Sequence, residues 1–403
     1  MKTLILVILA SAVATQQPPE KKEYGALIKN LESSDRETRL EAINAIAEVG
    51  PPAAKAVPGL VAILKEKDEE LRLSSAIALG KIGKDAVAPV AKLLADTDVD
   101  LRYYALATLG WIGPNAKATT PQVLQLLNDK NDGVRSKAAF ALGRVDADPK
   151  VAIKPLLKML TENNDAIRSA AGDALGRFKA AAVPALSEAL KDDSVPMKIE
   201  AAMALGQIGP DAKDAVLVLK FAALDPSDKL AEEAMRALAK IGKDSLAAIR
   251  EIVADDNAKH RQRALVGLEK AGTSAAPFLA DVMTTAKLVE VRRQAAQSLL
   301  ALNVKEESVL PGLTLALKDK DRDVRKYAMQ ALARVAVGAK GAVPNLLDNL
   351  KEKDTEMRML ALSVLREIPG ESDAIVTAVT PLLNDADENV RRLAKEVLSF
   401  QGK

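Results

Sequence analysis

Apolar residues recur along this chain at fixed distances from a basic one. Arg39, Arg72, Arg102, Arg135, Arg168, Lys198, Ala231, Arg261, Arg292, Arg325, Arg358 and Arg391 form one register. Seven of its steps are equal, as from Arg39 to Arg72; three are three residues shorter, as from Arg72 to Arg102, and the one from Arg261 to Arg292 is two shorter. Three residues after each anchor stands Ala, replaced once by Ser75; seven residues after it stands Leu, replaced once by Ile46. Further apolar positions just before the anchor and at plus four and plus ten complete a stripe at helical spacing, which predicts an amphipathic helix of about three turns after every anchor.

Both ends of that helix are marked. Four residues before the anchor stand Asp35, Asp68, Asp98, Asn131, Asn164, Ser194, Ser227, Asn257, Asp321, Asp354 and Asp387, with Leu288 as the exception. Their side chains can accept from the first free amides of a helix. Gly50, Gly83, Gly113, Gly209, Gly242, Gly272 and Gly402 supply a residue that can turn left-handed and stop it. A first helix is predicted upstream of each anchor, because Pro58, Pro121, Pro184, Pro311 and Pro344 lie fourteen residues before theirs and open Leu-rich segments. Proline suits a first helical turn, where its missing amide costs nothing. Two short helices cannot bury their apolar faces alone, so each unit must pack on its neighbours. The expected fold class is all-α, an alpha-alpha superhelix (solenoid) of about twelve helix pairs over residues 21–403.

Proline at the start of the first helix, an acid eight residues later and an arginine six beyond it, as in Pro311, Asp319 and Arg325, resemble HEAT repeats. Endings of the form Ala-Leu-Gly-x-Ile-Gly, as in Ala78 to Gly83, resemble the short HEAT-like subclass named after phycobilin lyases. The resemblance implies an extended protein-binding surface, and through the subclass a chromophore lyase or its chaperone-like subunit as the alternative.

Composition narrows the chemistry. Hydrophobic residues make up 48% of the chain, but Phe, Trp and Tyr number only 5, 1 and 4, so the apolar content is aliphatic and favours packed helices. Lys plus Arg exceed Asp plus Glu by 57 to 55 without forming blocks, which argues against nucleic acid as a partner. With no cysteine there is no disulfide, thiolate metal site or thiol nucleophile. Met1 and Lys2 precede an apolar run from Leu4 to Ala14, which reads as a signal peptide over residues 1–14 with a short linker at 15–20. The run is about half of the ~20 residues that span a bilayer, so stable membrane insertion after cleavage is not expected and a secreted or periplasmic location is.

Arginine in a first helical turn opposes the helix dipole, so the anchors need partners. An acid six residues before the anchor recurs in ten repeats, missing at Ser33 and Ala286. That acid is the expected partner in a ladder of bidentate pairs within and between repeats. The runs Asp96–Asp100 and Asp319–Asp323 imitate a calcium loop, but their sixth and twelfth positions, Leu101 and Ala107, Val324 and Gln330, lack its Gly and Glu. His260, the only histidine, stands at a position that is mostly apolar and reads as a partly buried helix-start residue. No catalytic constellation, metal site or cofactor motif stands outside the repeat pattern.

A helical wheel places plus one, two, five and nine opposite the apolar stripe. Repeats three and four put Tyr103, Tyr104, Trp111 and Phe140 at those positions, preceded by Leu73 and Ile77 and followed by Arg144 and Arg177. This exposed patch on the inner wall of the stack is the candidate protein-binding site, using stacking and cation interactions with the indole. Its bland alternative is that the rings fill a shallow groove between helices. The sequence therefore reads as a non-enzymatic protein-binding scaffold; the alternatives are lyase-like chromophore attachment and a structural spacer in a cell-envelope assembly.

Overall fold

The computed structural model describes residues 21–368 and 373–401. The expected signal peptide and linker, and the expected helix stop at Gly402, lie outside them. The described chain runs through twelve consecutive helix pairs, from Lys21–Asn30 with Arg36–Val49 to Asp373–Val379 with Glu388–Gln401, and contains no strand. This is the all-α solenoid class expected from the periodicity. Among the described residues no helix is long and apolar enough to cross a membrane. The chain divides into two compact units at Ala174 and Leu175, within the helix Asp165–Arg177. In each, the second helices of neighbouring repeats pack directly on one another, and the first helices, shorter and partly 3-10, form the looser row.

Local chemistry sets the boundaries. All eleven expected capping side chains accept an amide of the first turn, as Asp35 does from Thr38 at 2.8 Å and Asn131 from Val134 at 3.1 Å. The helix after Leu288 has no such cap. The glycine stops differ from expectation in one angle. Gly50 and Gly113 have φ of 67° and 72°, but ψ of −134° and −138°, so the chain leaves in the mirror image of an extended conformation and enters the next 3-10 turn at once. A Cβ excludes that region. The same position, eleven after the anchor, holds Asp146, Lys179 and Asn303, the three non-glycine residues with positive φ among those described. Asp and Asn tolerate it; Lys179 carries the strain.

The stripe is the core. The plus-three and plus-seven residues are buried throughout, except that Leu398 is half-buried. Ser75, standing where eleven repeats have Ala, is fully buried, and its hydroxyl has no hydrogen-bond partner.

The ladder exists, and of the two pairings expected, within and between repeats, its carboxylates make the second. Within its own repeat the anchor bonds the backbone of the acid, not its carboxylate: Arg102, Arg135, Arg168, Arg261, Arg325, Arg358 and Arg391 donate to the carbonyl oxygen six residues upstream at 2.7–2.9 Å. The carboxylate comes from the following repeat, as Asp129 does for Arg102. Every full-length step forms this pair: Arg39–Glu66, Arg102–Asp129, Arg135–Glu162, Lys198–Asp225, Arg292–Asp319, Arg325–Glu352 and Arg358–Asp385. Arg102 and Arg292 are bidentate, while Lys198 only approaches its acid at 3.6 Å. At the first of the shorter steps Arg72 instead reaches Asp100 at 2.7 Å. That step is shortened in the turn between repeats, where Lys84–Ala86 stands in place of a 3-10 segment as long as Pro51–Ala56. Outside this row Arg36 bonds Asp68 and Arg293 bonds Asp321, which holds both carboxyls down at about 2.

The missing anchor at Ala231 is made good from the next repeat. Arg263 donates to the carbonyls of Asp225 and Pro226 at 3.0 and 2.7 Å, the two oxygens an arginine at 231 would serve, and its Nε bonds Asp228. At Leu288 the loop is still tied, because Arg292 donates to the carbonyls of Ala286 and Lys287. At both departures the loop carbonyls therefore keep an arginine donor.

Two stability measurements test these readings. Ser75→Ala should raise the midpoint of chemical denaturation, by about 1 kcal/mol of stability, because it removes an unsatisfied buried hydroxyl. Arg263→Ala should cost about 2–3 kcal/mol by leaving loop carbonyls and Asp228 unpaired. Adding Ala231→Arg to it should restore at least half of that loss in the same denaturation assay.

Candidate functional site

The second helices of repeats two to four, Glu69–Ile82, Val99–Ile112 and Asp132–Leu142, carry most of the candidate residues, within the first unit. Leu73 and Ile77 lie one turn apart on the first of them, 37% and 40% exposed. Gly80, a turn further, leaves a notch: a Cβ there would stand 3.0 Å from the Cβ of Trp111, whose side chain lies against it and is itself 39% exposed. Leu73, Ile77 and the indole therefore follow one another along a single helix face.

Phe140 behaves differently. Its ring fills a notch at Gly110, where a Cβ would meet ring carbons at 2.6 and 2.9 Å, and the residue is half-buried. Tyr103 is also half-buried and packs beside Gly133 of the next repeat, edge-on to Tyr104 with 5.6 Å between centroids. For Phe140 and Tyr103 the groove-filling alternative is the one the structure shows. The expected exposure at plus five and plus one failed there because the neighbouring helix approaches closely enough at the glycines to cover them.

Cations already occupy these rings. The Lys137 ammonium sits 4.8 Å from the Tyr103 centroid and 4.9 Å from that of Phe140, and the Arg144 guanidinium lies 4.5 Å over Phe140. Arg144 thus stacks on Phe140 and not on the indole. Lys137 escaped the sequence reading, although its plus-two position marks it as facing the same side. Burial, with Glu69 and Asp100 nearby, pushes the Tyr104 phenol above its usual value, so the hydroxyl stays protonated and able to donate. Arg177 is exposed and belongs to the second unit.

The remaining polar candidates have structural partners. Asp98 caps its helix and Asp100 bonds Arg72. His260 is half-buried with Nδ1 3.0 Å from Asp255, as a helix-start residue. Among the described residues no three His, Cys, Asp or Glu side chains converge in a way that would hold a metal ion.

No curated protein matches this chain. Among solved structures it is similar to an engineered protein at 22% identity, covering 94% of this chain and 99% of that one with a TM-score of 0.33. It is also similar to Kap95p, solved with RanGDP, at 14% identity over 95% of this chain and 61% of that one, TM-score 0.48. A third is the karyopherin Kap121p bound to the extreme C-terminus of the phosphatase Cdc14p, at 11% identity over 94% and 62%, TM-score 0.41. The chain spans about three fifths of the length of these two proteins. The family model for HEAT repeats matches residues 25–100, 87–176, 153–228, 215–301 and 309–400, most of the chain, and so the chain belongs to the HEAT-repeat family.

Proposed function

We propose that this protein is a non-enzymatic binding scaffold that holds a protein partner on the second-helix face of repeats two to four. The observation that carries the reading is the group of Leu73 and Ile77 on one second helix and Trp111 from the next, which lies against the first at Gly80, three large apolar side chains each more than a third exposed. Family membership supports the general role, since stacked helix pairs offer extended surfaces on which each repeat contributes a few contacts. The proposal differs from the sequence expectation in its residues. Phe140, Tyr103, Lys137 and Arg144 support the face from beneath and beside, and Trp111 with Leu73 and Ile77 makes the contact. A partner helix or strand presenting apolar side chains would bury the indole, the residue type that most often anchors such contacts. The same proposal places the protein outside the cytoplasm, supported by the apolar run from Leu4 to Ala14.

Trp111 is the chain's one tryptophan, so its emission reports this face alone. Proteins retained from a native envelope fraction should blue-shift and quench that emission, and Trp111→Ala with Ile77→Ser should weaken their retention by at least tenfold while leaving the melting temperature unchanged. Phe140→Ala should do the reverse in order of severity, costing about 2–3 kcal/mol of stability because it empties a packed notch. Equal retention by wild type and the double variant would sink the reading in favour of a spacer, and visible absorbance gained on mixing with a bilin would favour the lyase-like alternative.

A further inference from the structure

The first-helix side of the same unit carries a groove that the binding face above does not use. It lies between the 3-10 turn Leu126–Asn128 of repeat four and the helix Pro149–Met159 of repeat five, and encloses about 950 Å³. Pro149–Met159 is longer than the other α-helices of its row from repeat two onward in this unit: Val57–Leu64, Val87–Ala91 and Thr120–Gln125. Its start differs as well: Asp146, with φ of 58°, and Asp148, which caps it through the Lys150 amide, stand where a 3-10 turn opens the helices after Gly50, Gly83 and Gly113.

Three lysines, Lys150, Lys154 and Lys158, line the groove at intervals of four residues, all exposed and none engaged in an ion pair. The carboxylates that border it are already committed: Asp129 to Arg102 at 2.8 Å and Glu162 to Arg135 at 2.8 Å. The groove therefore keeps three uncompensated positive charges in a protein whose net charge is only +2. Its floor is apolar, made by Leu127, Val151, Pro155 and Met159, with Val151 47% exposed. Pro155 sits inside the helix and has no amide, so the Val151 carbonyl lacks its usual donor four residues on.

We propose that this groove binds an extended acidic segment of another protein, with alternate side chains acidic and the others apolar. Charge complementarity and spacing both select that occupant. Residues four apart on a helix are about 6 Å apart along its axis, and alternate residues of an extended chain are about 6.6 Å apart. A row of Asp or Glu at every second position thus meets Lys150, Lys154 and Lys158 in turn, within the reach of flexible lysine stems. The intervening side chains face Val151 and Pro155, and a main-chain amide of the segment can donate to the Val151 carbonyl. A nucleic-acid strand would satisfy the lysines, but it leaves the apolar floor uncovered and finds no aromatic platform there for its bases.

The chain's lack of cysteine allows a direct test, because Asn128→Cys, at the exposed edge of the groove, carries a single environment-sensitive dye. The probe is a synthetic peptide of alternating Glu and Val or Thr, beside a scrambled peptide of the same composition and a single-stranded oligonucleotide. The alternating peptide should bind with a saturable dye response and at least fivefold more tightly than the scrambled one, without changing Trp111 emission. Lys150→Gln, Lys154→Gln and Lys158→Gln together should weaken it about tenfold, three exposed ionic contacts each worth about half a kcal/mol. The control Lys55→Gln, Lys65→Gln and Lys92→Gln removes the same charge from exposed lysines without ion pairs elsewhere in this unit, and should weaken binding less than twofold. No saturable response, equal loss in both triple variants, no preference for the alternating peptide, or tighter binding of the oligonucleotide would each overturn the proposal. A change in Trp111 emission would assign the peptide to the other face and overturn it as well.

Discussion

One kind of side chain, recurring in most repeats, ties the turns of this stack together. A guanidinium in the first turn of a helix is opposed by the helix dipole, and here it is stabilised by two sets of acceptors at once. It donates to the carbonyls of the loop that precedes its own helix and to a carboxylate delivered by the next repeat. Loop carbonyls that helix geometry leaves without donors are thereby satisfied, and two successive repeats are joined by the same group. Only arginine has the fork of donors for this double task. Lys198 approaches its acid at 3.6 Å, a single long contact in place of a bidentate one. Where the anchor is Ala231, Arg263 arrives from the neighbouring repeat and serves the same two carbonyls, which shows that the requirement resides in the loop and not in the anchor position.

Features that depend on a side chain and its adjacent backbone were legible in the sequence. Asp35, Asn131 and Asp387 announce helix starts because a cap acts within three residues, and the plus-three and plus-seven stripe announces the buried face. The sequence left open which carboxylate Arg102 takes, that of its own repeat or that of the next. In a regular repeat, an acid that precedes one anchor by a fixed distance also follows the previous anchor by a fixed distance, so the sequence cannot tell the two relations apart. Asp96 and Asp129 divide the work, the first giving its carbonyl and the second its carboxylate. The burial of Phe140 depends on Gly110 one repeat earlier, a relation visible only once the helices are paired. The groove beside Pro149–Met159 was missed because it depends on the acids around it being occupied.

The two sides of the first unit differ in what they leave unspent. On the second-helix face the cations are consumed internally, with Lys137 and Arg144 lying on rings, so what remains is apolar surface at Leu73, Ile77 and Trp111. On the first-helix side the carboxylates are consumed and lysine charge remains. Apolar contact supplies most binding energy and charge supplies orientation and encounter rate. A face of the first kind suits a persistent hold, and a row of the second kind suits a contact that forms quickly and weakens with salt.

The pairing of anchor and acid also acts as a ruler. It closes at each full-length step, and at the step from Arg72, three residues shorter, the arginine turns to Asp100 instead. A gain or loss of a single residue within a full-length step would carry the carboxylate away from the guanidinium and rotate the next helix against its predecessor. At the step from Arg72 the missing length is a whole turn of 3-10 structure between repeats, where three residues are removed together and the following helix still presents its apolar stripe inward. The recurrence of the full-length step is in this sense a mechanical property of the stack, held at seven junctions by a bond that forms at that spacing.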